Sequence, residues 1–145
     1  MEIGFAQNKD IDSWMELVKR VKDSFPGLDM EEYKKGLSLR ISGKGALAAV
    51  ESGRVVGALL FSGETKELEF LAVHPDFRQK GIAAALIRHL FSLFPKGSRF
   101  SVITYRENDP QGKAARELYR SIGFIPGRLL TVFDYPCQEL TCVTE

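Results

Sequence analysis

The chain has 145 residues, 44% hydrophobic and 27% charged, which is the length and balance of one ordinary globular domain. That excludes a disordered or collagen-like chain and leaves no room for two sizeable domains, so residues 1–145 are expected to form one. Twenty Lys and Arg against nineteen Asp and Glu give a formal charge of +1, which argues against general nucleic-acid or membrane binding but not against a local patch for an anionic cofactor.

In chain order, Met1 to Ala6 predicts a short strand and Asp10 to Phe25 a helix. Ile11, Trp14, Leu17, Val18 and Val21 recur at three- and four-residue steps and form one apolar face, and Pro26-Gly27 stops the helix. Asp29 has the position of an N-cap, with Glu32 at the capping-box spacing, for a second helix running to about Leu39 or Ile41. Three strands follow at Ala46–Glu51, Arg54–Ser62 and Glu67–Val73, the first two joined by a tight turn at Ser52-Gly53. A helix from about Gly81 to Phe94 leads to a strand at Arg99–Tyr105. Asp109-Pro110 opens a last helix, whose buried face carries Ala115, Leu118 and Ile122 and which Gly123 ends. The remainder predicts strands at Leu129–Tyr135 and Gln138–Val143, separated around Pro136. Consecutive strands in the middle argue for antiparallel pairing, and the strand–helix–strand unit from Glu67 to Tyr105 argues for one parallel pair. The class is mixed α/β.

Several function classes fall away. No apolar stretch reaches the length of a membrane span, since Gly81 to Phe94 is interrupted by Arg88 and His89. The amino terminus has no basic segment followed by an apolar run, so no signal peptide is expected. Cys137 and Cys142 are too few for a disulfide framework and would point to opposite faces of a strand, so reduced thiols and a cytoplasmic location are expected. His74 and His89 lack ligand spacing, and no metal is expected. Ser42-Gly43-Lys44-Gly45 lacks the spacing of a phosphate loop.

The informative stretch is Leu71-Ala72-Val73-His74-Pro75-Asp76-Phe77-Arg78-Gln79-Lys80-Gly81-Ile82-Ala83-Ala84. A strand ends, a turn follows, and a helix opens on a basic, Gly-containing segment. The first N–H groups of a helix have no backbone partner and sit at the positive end of its dipole, so they suit a pyrophosphate. Gly81 would let the ligand approach the backbone, and Arg78 and Lys80 add positive charge.

Arg-x-x-Gly-x-Ala from Arg78 to Ala83, directly after a strand ending Leu-Ala-Val, resembles the coenzyme A signature of the GCN5-related N-acetyltransferases. A second feature of that family follows in order, Ala115-x-x-Leu118-Tyr119-x-x-x-Gly123-Phe124. The resemblance implies a central, mostly antiparallel twisted sheet of about 6–7 strands with helices on both faces. It implies acetyl-CoA as co-substrate, held by Leu71, Ala72 and Val73 along the pantetheine arm and by Arg78, Gln79, Lys80, Gly81, Ile82, Ala83 and Ala84 at the phosphates. It gives Val73 N–H the thioester carbonyl and Tyr119 the role of general acid toward the departing thiolate. A carboxylate on the strand leading to the motif is the expected base, Glu67 first and Glu69 second. The family's frequent Asn before the motif Tyr is replaced by Gly112, with Asn108 nearby in the preceding loop.

The acceptor implied is a primary amine of a small molecule or a peptide. By resemblance its cleft lies between the first two helices and the last two strands, where Phe25, Asp29, Glu31, Glu32, Tyr33, Asp134 and Tyr135 offer acids and aromatics for a cation. The alternative reading is a coenzyme A-binding sensor without turnover. A homodimer is left open.

Overall fold

The computed structural model describes all residues from Met1 to Glu145. The elements are β1 (Glu2–Phe5), α1 (Ile11–Val21), α2 (Met30–Ser42), β2 (Ala46–Glu51), β3 (Arg54–Phe61), β4 (Glu67–Val73), α3 (Ile82–Ser92), β5 (Arg99–Tyr105), α4 (Lys113–Ile122), β6 (Ile125–Val132) and β7 (Tyr135–Val143).

Local chemistry explains most of these bounds. Trp14, Leu17, Val18 and Val21 are all buried, as the spacing on α1 predicts. The α-helix stops at Val21, ahead of Pro26-Gly27, because Lys22–Ser24 tighten into a 3₁₀ turn. The Asp29 carboxylate accepts from the N–H groups of Glu31 at 3.0 Å and Glu32 at 3.1 Å, which caps α2. Ser52 and Gly53 both take positive φ, 52° and 77°, and close the β2–β3 hairpin.

The seven strands form one sheet in the order β1-β2-β3-β4-β5-β7-β6. Every neighbouring pair is antiparallel except β4 and β5, which are parallel as the strand–helix–strand unit predicts. One face buries Trp14, Leu17, Val18 and Leu37 from α1 and α2 against Ala48, Ala58, Phe70 and Ala72. The other buries Ile82, Leu86, Leu90 and Tyr119 from α3 and α4 against Leu47, Leu59, Phe100 and Val102. The sheet is thus covered on both sides.

One expectation is corrected. The break between the last two strands is not at Pro136 but at Phe133-Asp134, which take positive φ of 51° and 61° in a two-residue hairpin. Pro136 lies inside β7, opposite Thr131. Next to such a turn that pair is a non-hydrogen-bonded one, so the backbone nitrogen of Pro136 faces away from β6. On its other side β5 has already ended, since Tyr105 pairs with Cys137. Position 136 therefore needs no N–H, and Pro is tolerated there.

Two irregularities set the site. Leu60 pairs with Phe70 while Phe61 pairs with Leu68, so Glu69 is an extra residue, a bulge on β4. The parallel pairing of β4 with β5 covers only Glu67↔Ser101 and Leu68↔Val102. Beyond Leu68 the two strands diverge.

Candidate functional site

The bulge decides which backbone groups of β4 face the divergence. Before it, Lys66 C=O accepts from Ser101 N–H on the β5 side at 3.1 Å. After it, His74 N–H donates to Val56 C=O on the β3 side at 2.8 Å. By alternation Phe70 and Ala72 also turn their polar backbone groups to β3, and Leu71 and Val73 turn theirs to the open edge beside β5. Of the three residues expected along the pantetheine arm, Ala72 is therefore bound into the sheet, and Leu71 and Val73 face the gap. Val73 C=O accepts from Arg78 Nε at 3.3 Å, which ties the loop back to the strand.

That loop is built to expose donors. His74, buried, accepts from Asp76 N–H through Nδ1 at 3.1 Å and starts the 3₁₀ turn Pro75–Phe77. Its other ring nitrogen lies 2.8 Å from an Arg54 guanidinium nitrogen. Burial first, and Arg54 second, hold its pKa below the ordinary imidazole range, so the ring is neutral at pH 7. Gln79 and Gly81 take positive φ, 62° and 78°, and aim the chain so that the N–H groups of Ile82, Ala83 and Ala84 open α3. Gly81 is needed for that backbone geometry, where a Cβ is strained, and not only for close approach of a ligand. Arg78, Gln79 and Lys80 are exposed around the same helix start, with the Lys80 ammonium 5.4 Å from the Phe77 ring.

Tyr119 sits on α4, 5% exposed, edge-on to Phe124 at 5.4 Å. It belongs to the cluster on which Leu71 and Val73 pack. Its hydroxyl makes no hydrogen bond within the protein, yet no side-chain oxygen is sealed from solvent without a partner. The phenol tip therefore reaches open space. Burial pushes its pKa well above the ordinary phenol value and keeps it protonated.

The two glutamates of β4 differ. Glu69 is held by Arg40 of α2 through two bonds, Nε to Oε1 at 2.8 Å and a terminal guanidinium nitrogen to Oε2 at 2.6 Å. Glu67 stands at the vertex of the divergence, half-buried, and its carboxylate has no hydrogen bond or ion pair. Burial first, then the charges of Glu69 and Glu139, raise its pKa above the usual carboxylate range. Glu139, opposite Ile103 on β7, shares the face of Glu67 and pairs with Arg128 at 3.4 Å. Sequence reasoning missed Glu139; strand alternation from Cys137 was the available signal.

The acids and aromatics expected around the acceptor have mostly other work. Asp29 is the α2 cap, Glu32 pairs with Lys35 at 3.6 Å, and the Tyr33 hydroxyl accepts from Trp14 Nε1 at 2.8 Å while its ring packs on Phe70. Phe25 also packs on Phe70, at 4.6 Å. Tyr135 donates to Asp109 at 2.6 Å, and Tyr105, 5.4 Å from its ring, donates to Ser24 C=O at 2.8 Å. The hydrogen bond to Asp109 above all pushes the Tyr135 pKa up to about 12. Gly112 has a steric cause: a Cβ there would collide with the Cβ of Tyr105, with two ring atoms of the same residue at 3.1 Å, so a side chain would force the backbone apart. Asn108 is exposed in the loop before it. Cys137 and Cys142 are free thiols, no cluster of acids, His or Cys has metal-binding geometry, and no helix is long and apolar enough to cross a membrane.

The model of the acetyltransferase (GNAT) family matches residues 11–124. Among solved structures, an N-acetyltransferase from Staphylococcus aureus Mu50 is 19% identical with a TM-score of 0.77, over 97% of this chain and 100% of that one. A GNAT-family acetyltransferase from Bacillus cereus ATCC 10987 is 16% identical with a TM-score of 0.81, over 99% and 97%. A GNAT-like decarboxylase in complex with isobutyryl-CoA is 14% identical with a TM-score of 0.75, over 99% of each chain. At these identities the likeness is one of fold. No curated protein sequence matches the chain.

Proposed function

Given that the chain belongs to the acetyltransferase (GNAT) family, whose chemistry is acetyl transfer from acetyl-CoA, we propose that residues 1–145 act as a single domain that moves the acetyl group directly to a primary amine of a small molecule or peptide. The observation that carries this is the open edge of β4, where Leu71 and Val73 face the gap beside β5 and the gap leads to the start of α3.

In this reading the pantetheine arm lies along Leu71 and Val73 as an added strand would. The pyrophosphate takes the N–H groups of Ile82, Ala83 and Ala84, with Arg78, Gln79 and Lys80 around it and Gly81 shaping the turn. Acetyl-CoA supplies the thioester. Glu67 removes a proton from the ammonium acceptor, directly or through water, and its raised pKa brings it toward the working pH of a general base. The neutral nitrogen attacks the carbonyl carbon, and the oxygen that gains charge takes a hydrogen bond from Val73 N–H. The carbon–sulfur bond then breaks with its electron pair on sulfur. Tyr119, held protonated by burial, gives its proton to that thiolate, and the second proton on the nitrogen leaves through solvent and restores the phenol. The free thiols are compatible with a cytoplasmic setting.

Thiol release from acetyl-CoA, measured across polyamines, amino acids, aminoglycosides and peptides, tests the proposal. Release with at least one amine is expected. Acetyl-CoA binding without release across the panel would support a coenzyme A-binding sensor, and no acetyl-CoA binding would remove both readings.

A further inference from the structure

Arg116 is 7% exposed, yet no carboxylate lies within ion-pair distance of it. Its guanidinium makes one hydrogen bond, from a terminal nitrogen to Tyr105 C=O at 2.8 Å. A buried cation held by one neutral carbonyl lacks the compensation that such a group normally has. None of its nitrogens is both sealed and unpartnered, so the remaining donors open onto a cavity. That cavity, of about 260 Å³, is lined by Glu107, Arg116, Arg120, Phe124, Pro126 and Leu140.

It is not the cofactor groove of the proposed mechanism. On α4, helical spacing puts Arg116 and Arg120 on one flank of Tyr119 and Ala115 and Ile122 on the other. The Arg flank faces Phe124, Pro126 and Leu140, which belong to the β6–β7 side of the sheet. The open edge of β4 lies on the other side of β5.

We infer that this cavity binds a small organic carboxylate. Its carboxylate would take the free donors of Arg116, with Arg120 adding charge at the rim. Its apolar body would lie on Phe124, Pro126 and Leu140. Exposed Glu107, at the edge, disfavours a polyanion such as a nucleotide and suits a ligand of single charge. Because Arg116 also holds the end of β5 and lies one turn before Tyr119, occupancy bears on the position of the general acid.

Calorimetric titration of the purified full chain with butyrate and benzoate, against the matching amides, tests the inference in saturating coenzyme A. Binding of the acids but not the amides is expected, weakened at least about fivefold by Arg120→Ala and by Arg116→Lys, which keeps charge but loses the fork. Arg120 is exposed, so its loss leaves the fold and acetyl-CoA binding unchanged and keeps the test readable if Arg116 variants unfold. Three outcomes overturn the inference: equal binding of acids and amides, binding of the acids only when coenzyme A is left out, or no heat from the acids up to about 10 mM.

Discussion

Along one edge of β4, residues 70, 72 and 74 commit their backbone hydrogen bonds to β3; along the other, Leu71 and Val73 have no strand beside them. The same strand is therefore scaffold on one side and an open edge on the other. The switch is one residue, the bulge at Glu69, which shifts the alternation so that Val73 rather than Ala72 faces the gap. The two glutamates repeat the contrast. Glu69 joins the sheet to α2 through Arg40, and Glu67 at the vertex has no partner.

Proline scanning breaks the comparison most sharply. Ala72→Pro removes an N–H from the β3 ladder inside the sheet, where Pro is not accommodated, and is expected to abolish the cooperative unfolding transition. Val73→Pro removes one that faces the gap. It is expected to keep the fold by circular dichroism while turnover falls by about 10²–10³-fold, the loss for one oxyanion donor. Equal damage from both would mean that the two edges do not differ.

Tyr119→Phe keeps the packing on Phe124 and removes only the hydroxyl. Turnover is expected to fall by about 10²–10⁴-fold with acetyl-CoA affinity unchanged, and unchanged turnover would remove Tyr119 as the acid.

The glutamate pair sharpens the contrast through pH. With Glu67 as base, kcat/KM rises with pH through an inflection above the ordinary carboxylate range, and Glu67→Gln removes that limb with about 10²-fold of the rate. The stability sign is opposite. A carboxyl whose folded pKa is raised stabilises the fold below its unfolded pKa and loses that contribution as pH rises through the folded value. Glu67→Gln is therefore expected to raise Tm at pH 7 relative to the parent, with the difference gone in acid. Glu69→Gln is expected to leave kcat within about twofold and to cost at most about 1 kcal/mol, because its pair with Arg40 is partly exposed.

At the turn before α3 the expected effect is on binding more than on rate. Gly81→Ala places a Cβ at φ 78°, expected to cost about 1–2 kcal/mol and to weaken acetyl-CoA binding more than it lowers kcat. A rise in affinity would show that the turn is not under this constraint.

Much of the molecule was written locally. Apolar spacing marked α1, Asp29 marked the start of α2, Ser52-Gly53 marked a hairpin, and β2, β4 and β5 have the bounds that composition predicts. These features depend on residues a few positions apart, so the chain states them directly. Pro136 misled because its tolerance depends on where β5 ends, a fact about another strand.

What the sequence by itself determined is the family signature, the α/β order and the candidates Tyr119, Glu67 and Arg78 to Ala84. Only the tertiary structure decided what stands beside each of them. It turned Leu71 and Val73 to the gap and Ala72 to β3, left Glu67 free while Arg40 took Glu69, and buried Arg116 without a counter-ion. The reason is physical. Whether a carboxylate is a base or a strut, or a backbone N–H a donor to ligand or to sheet, depends on what stands opposite it, and long-range pairing brings that neighbour from elsewhere in the chain.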